Sequence, residues 1–268
     1  MNLKNILLYS PVVLAVAAFT ACSNIDEDVR YVYVEPAEVS RAVLIEDFTG
    51  QACVNCPNAT DEIESIIETY GDSAVIAVGI HSGPLGFRGN SRYVGLATDL
   101  GDEYYSHWGL DHQPVGVINR VSGAIDYTSW RTSVYEQIQK EAGCIITADN
   151  SYDEATRTAT INVETYSSGG TINGYLQVWL TEDSIVAMQS MPNGSIDYSY
   201  VHNHVLRDAV NGTWGEAVTM AEGDIINKSY TYQIPEDWVA DNMSAVIFVY
   251  DNSNGVYQVI KKSLINKE

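Results

Sequence analysis

The stretch Val43-Leu44-Ile45-Glu46-Asp47-Phe48-Thr49-Gly50-Gln51-Ala52-Cys53-Val54-Asn55-Cys56-Pro57 decides how the first half of the chain folds. Its opening six residues are mostly apolar and are closed by Thr49-Gly50, as expected of a strand covered on both faces. Beyond Pro57, Ile63, Ile66, Ile67 and Tyr70 recur at helical spacing until Gly71 stops the helix. The two cysteines therefore sit at a strand-to-helix junction. A helix N-terminus offers unpaired N–H groups and about half a positive charge, which favour thiolate over thiol at the first cysteine. Two intervening residues let both sulfurs share one turn and close a disulfide. Cys53 is expected at the start of the helix and nearer solvent, with Cys56 one turn inside it and more buried. Ala74 to Ile80 reads as a second buried strand, so strand, helix and strand form a βαβ unit with a parallel sheet.

In this context the Cys-Val-Asn-Cys motif resembles the thioredoxin superfamily. Asp47 lies six residues before Cys53, where the resemblance implies a buried acid that handles the proton of the resolving thiol. Pro114, in Gln113-Pro114-Val115-Gly116-Val117-Ile118-Asn119, precedes another strand and matches the cis-proline that faces the disulfide in that superfamily. The resemblance, not the proline, carries the cis expectation, because only about 5–6% of X–Pro bonds in folded proteins are cis. Ala52, Val54-Asn55 and Gln113 depart from the family's usual residues at positions that tune redox poise and partner docking. A helix with Trp130, Val134 and Ile138 on one face closes this unit near Gly143.

Read from the residues, Cys53 and Cys56 admit three roles: redox-competent thiols, a static bridge, or half of a zinc site, the last lacking visible further ligands. The segment from His81 to His112 is glycine-rich, carries a helix from Leu100 to Trp108, and is of the kind that shapes a partner groove. His81, His107 and His112 fall within it, near the expected active-site face. Cys144 has no evident partner and reads as a buried, inert thiol.

After Cys144 the hydrophobic period becomes two. Ala159, Ile161 and Val163 alternate with polar residues, as do Leu176, Val178 and Leu180, then Tyr230, Tyr232 and Ile234, then Val246, Phe248 and Tyr250. Asn252-Ser253-Asn254-Gly255 turns the last of these into a hairpin. Strands without interleaved helices indicate an antiparallel sandwich of immunoglobulin-like architecture. Ser184 to Asp224 breaks the pattern and reads as a packed loop under the sheet. His202 and His204 within it would share one face if extended, a spacing usable by a metal, but no third ligand is evident.

At the other end, Lys4, an apolar run from Ile6 to Phe19 and the small residues Thr20-Ala21 have the three-part layout of a secretory signal. The run falls short of the roughly 20 apolar residues that a membrane span needs. Phe19-Thr20-Ala21-Cys22 resembles a bacterial lipobox, which implies acylation of Cys22 and anchorage by its lipid. The acidic Asp26-Glu27-Asp28 that follows is similar to signals for surface display. With 14 basic and 35 acidic residues, a net charge of −21 repels phosphate backbones and excludes nucleic acid as a partner.

These parts together, with Val117-Ile118-Asn119-Arg120, the segment from His202 to Val210 and the terminal Phe248-Val249-Tyr250-Asp251, resemble the twenty-eight-kilodalton outer-membrane protein family of Bacteroidetes. The implied organisation is a signal peptide (1–21), an acidic tether (22–41), an α/β thioredoxin-like domain (42–143) and an all-β immunoglobulin-like sandwich domain (144–268). Two functions compete. In one, a thiol–disulfide oxidoreductase acts on exported protein thiols or disulfides: Cys53 attacks, Cys56 resolves, Asp47 moves the proton and Pro114 orients the substrate. In the other, a non-catalytic lipoprotein with a structural disulfide binds a surface protein or glycan. Neither reading calls for a cofactor or a metal, and both place the chain at the outer membrane.

Overall fold

The computed structural model describes residues 40–265. The expected signal peptide, Cys22 and all but the last two residues of the expected tether lie outside them. β1 (Val43–Thr49) and β2 (Val75–His81) pair in parallel along their whole length, from Val43 opposite Val75 to Thr49 opposite His81. α1 (Cys56–Tyr70) crosses between them. β3 (Val115–Ile118) lies antiparallel on the other side of β1, and β4 (Ile125–Asp126) edges the sheet. α2 (Asp99–His107) falls in the predicted insertion, and α3 (Trp130–Ile138) begins at Trp130.

All seven residues of β1 and all seven of β2 are buried, so both faces of these strands need cover. On one face Val43, Ile45, Val75 and Ala77 pack against Ala59, Ile63 and Ile66 of α1 and Trp130 and Val134 of α3. On the other, Leu44, Phe48, Ile76, Val78 and Ile80 meet Tyr104 of α2 together with Trp179, Val246 and Phe248 from the second half of the chain.

That second half supplies β5 (Cys144–Asp153), β6 (Thr158–Ser167), β7 (Ile172–Glu182), β8 (Ile185–Ser190), β9 (Ile196–His202), β10 (Val205–Ala209), β11 (Glu216–Met220), β12 (Ile225–Gln233), β13 (Met243–Asp251) and β14 (Gly255–Ser263). β12, β6 and β5 form a three-stranded antiparallel sheet in that order. Its Ala159, Ile161 and Val163 pack on Leu176, Val178 and Leu180 of β7 and on Ala245, Ile247 and Val249 of β13, which gives the predicted strands a second layer.

The expected division between 42–143 and 144–268 is crossed by a single sheet, ordered β14-β13-β7-β10-β2-β1-β3-β4, with β11 paired to β7. The described residues all fall within one compact unit. The junction is narrow: Val205 of β10 pairs with Gly79 of β2, and the Gly79 N–H donates to the His204 carbonyl at 2.8 Å. The physical reason lies in β13. Val246, Phe248 and Tyr250, which alternate as though against solvent, face the first half's core, while Ala245, Ile247 and Val249 face the sandwich.

Arg120 fastens this junction. Its Nε and Nη2 donate to the two carboxylate oxygens of Glu46 on β1 at 2.6 and 3.1 Å. Its guanidinium lies 4.3 Å from the ring centre of Tyr250 and 5.0 Å from that of Phe248. Asn119 and Arg120 take left-handed φ values of 48° and 55°, which turn the chain so that this arginine enters the core.

The stretch from Ser184 to Asp224 is not the loop that its broken periodicity suggests. It holds β8, β9, β10 and β11, and β8 pairs with β9 alone as a separate two-stranded hairpin.

Candidate thiol–disulfide site

The end of β1 delivers the chain into a tight turn. Gly50 has no room for a side chain: a Cβ there would lie 2.3 Å from the Leu85 carbonyl oxygen. The Ala52 N–H donates to that same oxygen at 3.0 Å, and the Cys53 N–H donates to the Gly50 carbonyl at 3.0 Å. Cys53 and Cys56 are joined in a disulfide, their Cα atoms 5.4 Å apart.

Two expectations about this pair are corrected. Cys56 is the first residue of α1, with Asn55 at the cap, and Cys53 belongs to the preceding turn rather than to the helix. Nor is Cys53 nearer solvent. The cysteines are 1% and 2% exposed, although Val54 between them is 47% exposed, and the β8–β9 hairpin is hydrogen-bonded to the turn that carries Cys53. Gln189 of β8 donates from Nε2 to the Cys53 carbonyl at 2.9 Å and the Gly50 carbonyl at 3.3 Å. The Ser190 N–H donates to the Gln51 carbonyl at 2.9 Å. Gln51 answers through Nε2, which donates to the Val94 carbonyl at 3.0 Å and the Met188 carbonyl at 3.1 Å.

Asp47 is buried in β1 between Gly79 of β2 and Gly116 of β3. Its Oδ1 has no hydrogen-bond partner among the described residues. Burial pushes its carboxyl up to about 8, so at neutral pH it is a protonated acid. The Tyr200 phenol of β9 bonds to Thr60 of α1 and lies in the field of Asp47, Asp61 and Glu64. The Gln113–Pro114 peptide is cis and leads into β3. Gln113 Nε2 donates to the Thr49 carbonyl at 2.6 Å and the Ser82 carbonyl at 3.0 Å, tying the ends of β1 and β2 together.

Of the three histidines in the insertion, only His81 meets the hairpin. Its ring centre is 5.2 Å from that of His202, which in turn lies 4.8 Å from Tyr200. Burial lowers both imidazoles, His202 to about 4 and His81 well below its ordinary value, so both are neutral at pH 7. His204 does not share a face with His202. Its Nδ1 is 3.1 Å from Asp183 and 3.3 Å from Lys261. Among the described residues no group of three or more His, Cys, Asp or Glu side chains could hold a metal ion. His112 lies between Asp111 and Asp126, and the His107 ring centre lies 4.3 Å from that of Trp214, the two rings tilted by 48°. Cys144 is a free thiol buried in β5, pushed by desolvation up to about 12.

The sequence reading assigns Gln51, Gln189 and Tyr200 no role at the thiol site. A usable signal was present, since Pro192-Asn193-Gly194 is a turn sequence between the short apolar stretches at Ile185-Val186-Ala187 and Ile196 to Val201.

Among solved structures, the chain is similar to HBP35 of Porphyromonas gingivalis, with 13% identity, coverage of 84% of this chain and 76% of that one, and a TM-score of 0.65, a likeness of fold. It also matches a domain of the outer membrane lipoprotein Omp28 from Porphyromonas gingivalis at 30% identity, over 47% of this chain and 92% of that one, with a TM-score of 0.35. No curated protein matches the chain. Among the described residues, no helix is long and apolar enough to cross a membrane. The family model described as Outer membrane protein Omp28 matches residues 101–268, and the chain belongs to this family of outer-membrane proteins.

Proposed function

We propose that the chain is an outer-membrane lipoprotein, anchored through Cys22, that exchanges disulfides with exported proteins through Cys53 and Cys56. In this reading residues 42–143 are a thioredoxin-like unit and residues 144–268 an immunoglobulin-like sandwich, joined on one sheet. The carrying observation is a disulfide at the β1–α1 junction, just beyond the strand that holds a buried, protonated Asp47. A partner thiolate attacks the Cys53 sulfur, the Cys53–Cys56 bond breaks, and Cys56 leaves as a thiolate that takes its proton from Asp47. A second partner thiolate then attacks the mixed disulfide and releases Cys53. The partner has lost two electrons and gained a disulfide, and the protein's pair is reduced. The reverse sequence reduces a partner.

Burial of both cysteines favours a second reading, in which the bridge only staples the turn of a surface binding or assembly protein. Trapping separates the two. In cells, Cys56→Ser should accumulate mixed disulfides between Cys53 and exported proteins, whereas Cys53→Ser should accumulate none. Absence of any mixed disulfide in Cys56→Ser would leave the binding reading in possession.

A further inference from the structure

We propose that the β8–β9 hairpin is a gate over the disulfide, latched by Gln189, which restricts exchange to extended polypeptide thiols able to displace it. This rests on the oxidoreductase reading and adds the class of substrate.

The hairpin is built as a separable piece. It pairs with neither of the larger sheets, and an isolated two-stranded hairpin is marginally stable by itself. Its buried apolar anchorage is small: Ala187 and Ile185 pack with Leu96 and Val205. The chain leaves β7 through Ser184 and enters β10 through His204, non-glycine residues with left-handed φ values of 62° and 58°, so the hairpin is bounded by a turn at each end.

Ring contacts hold β9, where Tyr198 stacks on Tyr93 and His202 meets His81, but what holds β8 to the turn is polar and local. Gln189 and Ser190 supply donors to the carbonyls of Gly50, Gln51 and Cys53. These are carbonyls that the N–H groups of an extended chain could satisfy in the hairpin's place. Displacement by such a chain is an exchange of hydrogen bonds, whereas glutathione, with only two amide N–H groups, is too short to replace the donors along the whole turn, and the Gln51 carbonyl, whose donor is the Ser190 N–H, is left unpaired. The outer face is already suited to contact, because Val186 and Val201, paired across the strands, are both about half exposed.

The test uses the full chain with its disulfide formed. The rate of disulfide reduction is measured with glutathione and with an unstructured peptide bearing one cysteine, in wild type, Gln189→Ala and Gln177→Ala. Gln177 is a buried glutamine of β7 bonded to Asn211 and Gly212, and it controls for general loosening. Wild type should react faster with the peptide than with glutathione. Gln189→Ala should raise the glutathione rate about tenfold, equivalent to 1.4 kcal/mol, the size of one or two net hydrogen bonds, and erase the preference. Gln177→Ala should do neither. Equal glutathione rates in wild type and Gln189→Ala would overturn the gate and leave the oxidoreductase reading standing. A faster Gln189→Ala that traps no exported protein when combined with Cys56→Ser would keep the gate and remove that reading.

Discussion

Replacing Asp47 with asparagine should stabilise the protein, and by an amount that grows with pH. In the unfolded chain this carboxyl titrates near 3.8, and in the fold burial raises it to about 8. Between those values the folded state holds a proton that the unfolded state has released. Stability is therefore lost as pH rises through this window, by about 1.4 kcal/mol per pH unit for one proton. Below pH 4 the effect vanishes, at pH 7 it is on the order of 4 kcal/mol, and above pH 8 it levels off. The amide of Asp47→Asn does not titrate and carries no such cost. Urea unfolding followed by tryptophan fluorescence from pH 4 to 9 should thus show wild-type and Asp47→Asn curves that coincide at the acid end and diverge toward neutrality. Curves that stay parallel would refute the assignment of a protonated Asp47, and with it the source of the proton for Cys56. The same variant should slow the partner's attack on Cys53, the step in which Cys56 takes its proton from Asp47, and in the reverse direction should slow release of trapped partners while leaving the initial attack by Cys53 intact.

Glu46→Gln should cost roughly 3–5 kcal/mol, because it leaves the Arg120 guanidinium charged and unpaired in the core, and denaturant unfolding should still show one transition. His202 has the opposite sign to Asp47. Its folded value of about 4 lies below the unfolded 6.5, so stability present above pH 6.5 is lost as pH falls toward 4, and His202→Gln should flatten the acid limb of a pH–stability profile. Cys22→Ser should move the protein out of the outer-membrane fraction, and unchanged fractionation would remove the lipid-anchor proposal.

The first half was legible because its signals are local. A continuous apolar run, an i, i+3, i+4, i+7 pattern closed by Gly71 and a second apolar run determine β1, α1 and β2 with little help from the rest of the chain. The strands β6, β7, β12 and β13 were also visible as alternation. Their partners were not. Phe248 and Tyr250 read as one face of a strand, but nothing local says that the face opposite Ala245 and Ile247 is a second core shared with Phe48 and Leu44. Cysteine burial failed for the same reason. The turn around Cys53 is held by a hydrogen bond from Gln189, 136 residues further along the chain, and nothing within residues 42–143 announces it.

That dependence bears on what the second half is for. A βαβ unit with a cysteine pair at its junction contains the sulfur chemistry already, and the strands that follow add none: Cys144 is buried and its thiol is held neutral by desolvation. What they add is cover. β7 and β13 shield the face of β1 and β2 opposite α1, Arg120 ties that layer to Glu46, and β8 and β9 close the turn. The gate hangs from the ends of β7 and β10, and both belong to the sheet that also contains β1. A partner that pushed the hairpin aside would therefore work against a frame fixed to the strand bearing Asp47, so opening could be confined to the hairpin without disturbing the proton donor beneath it.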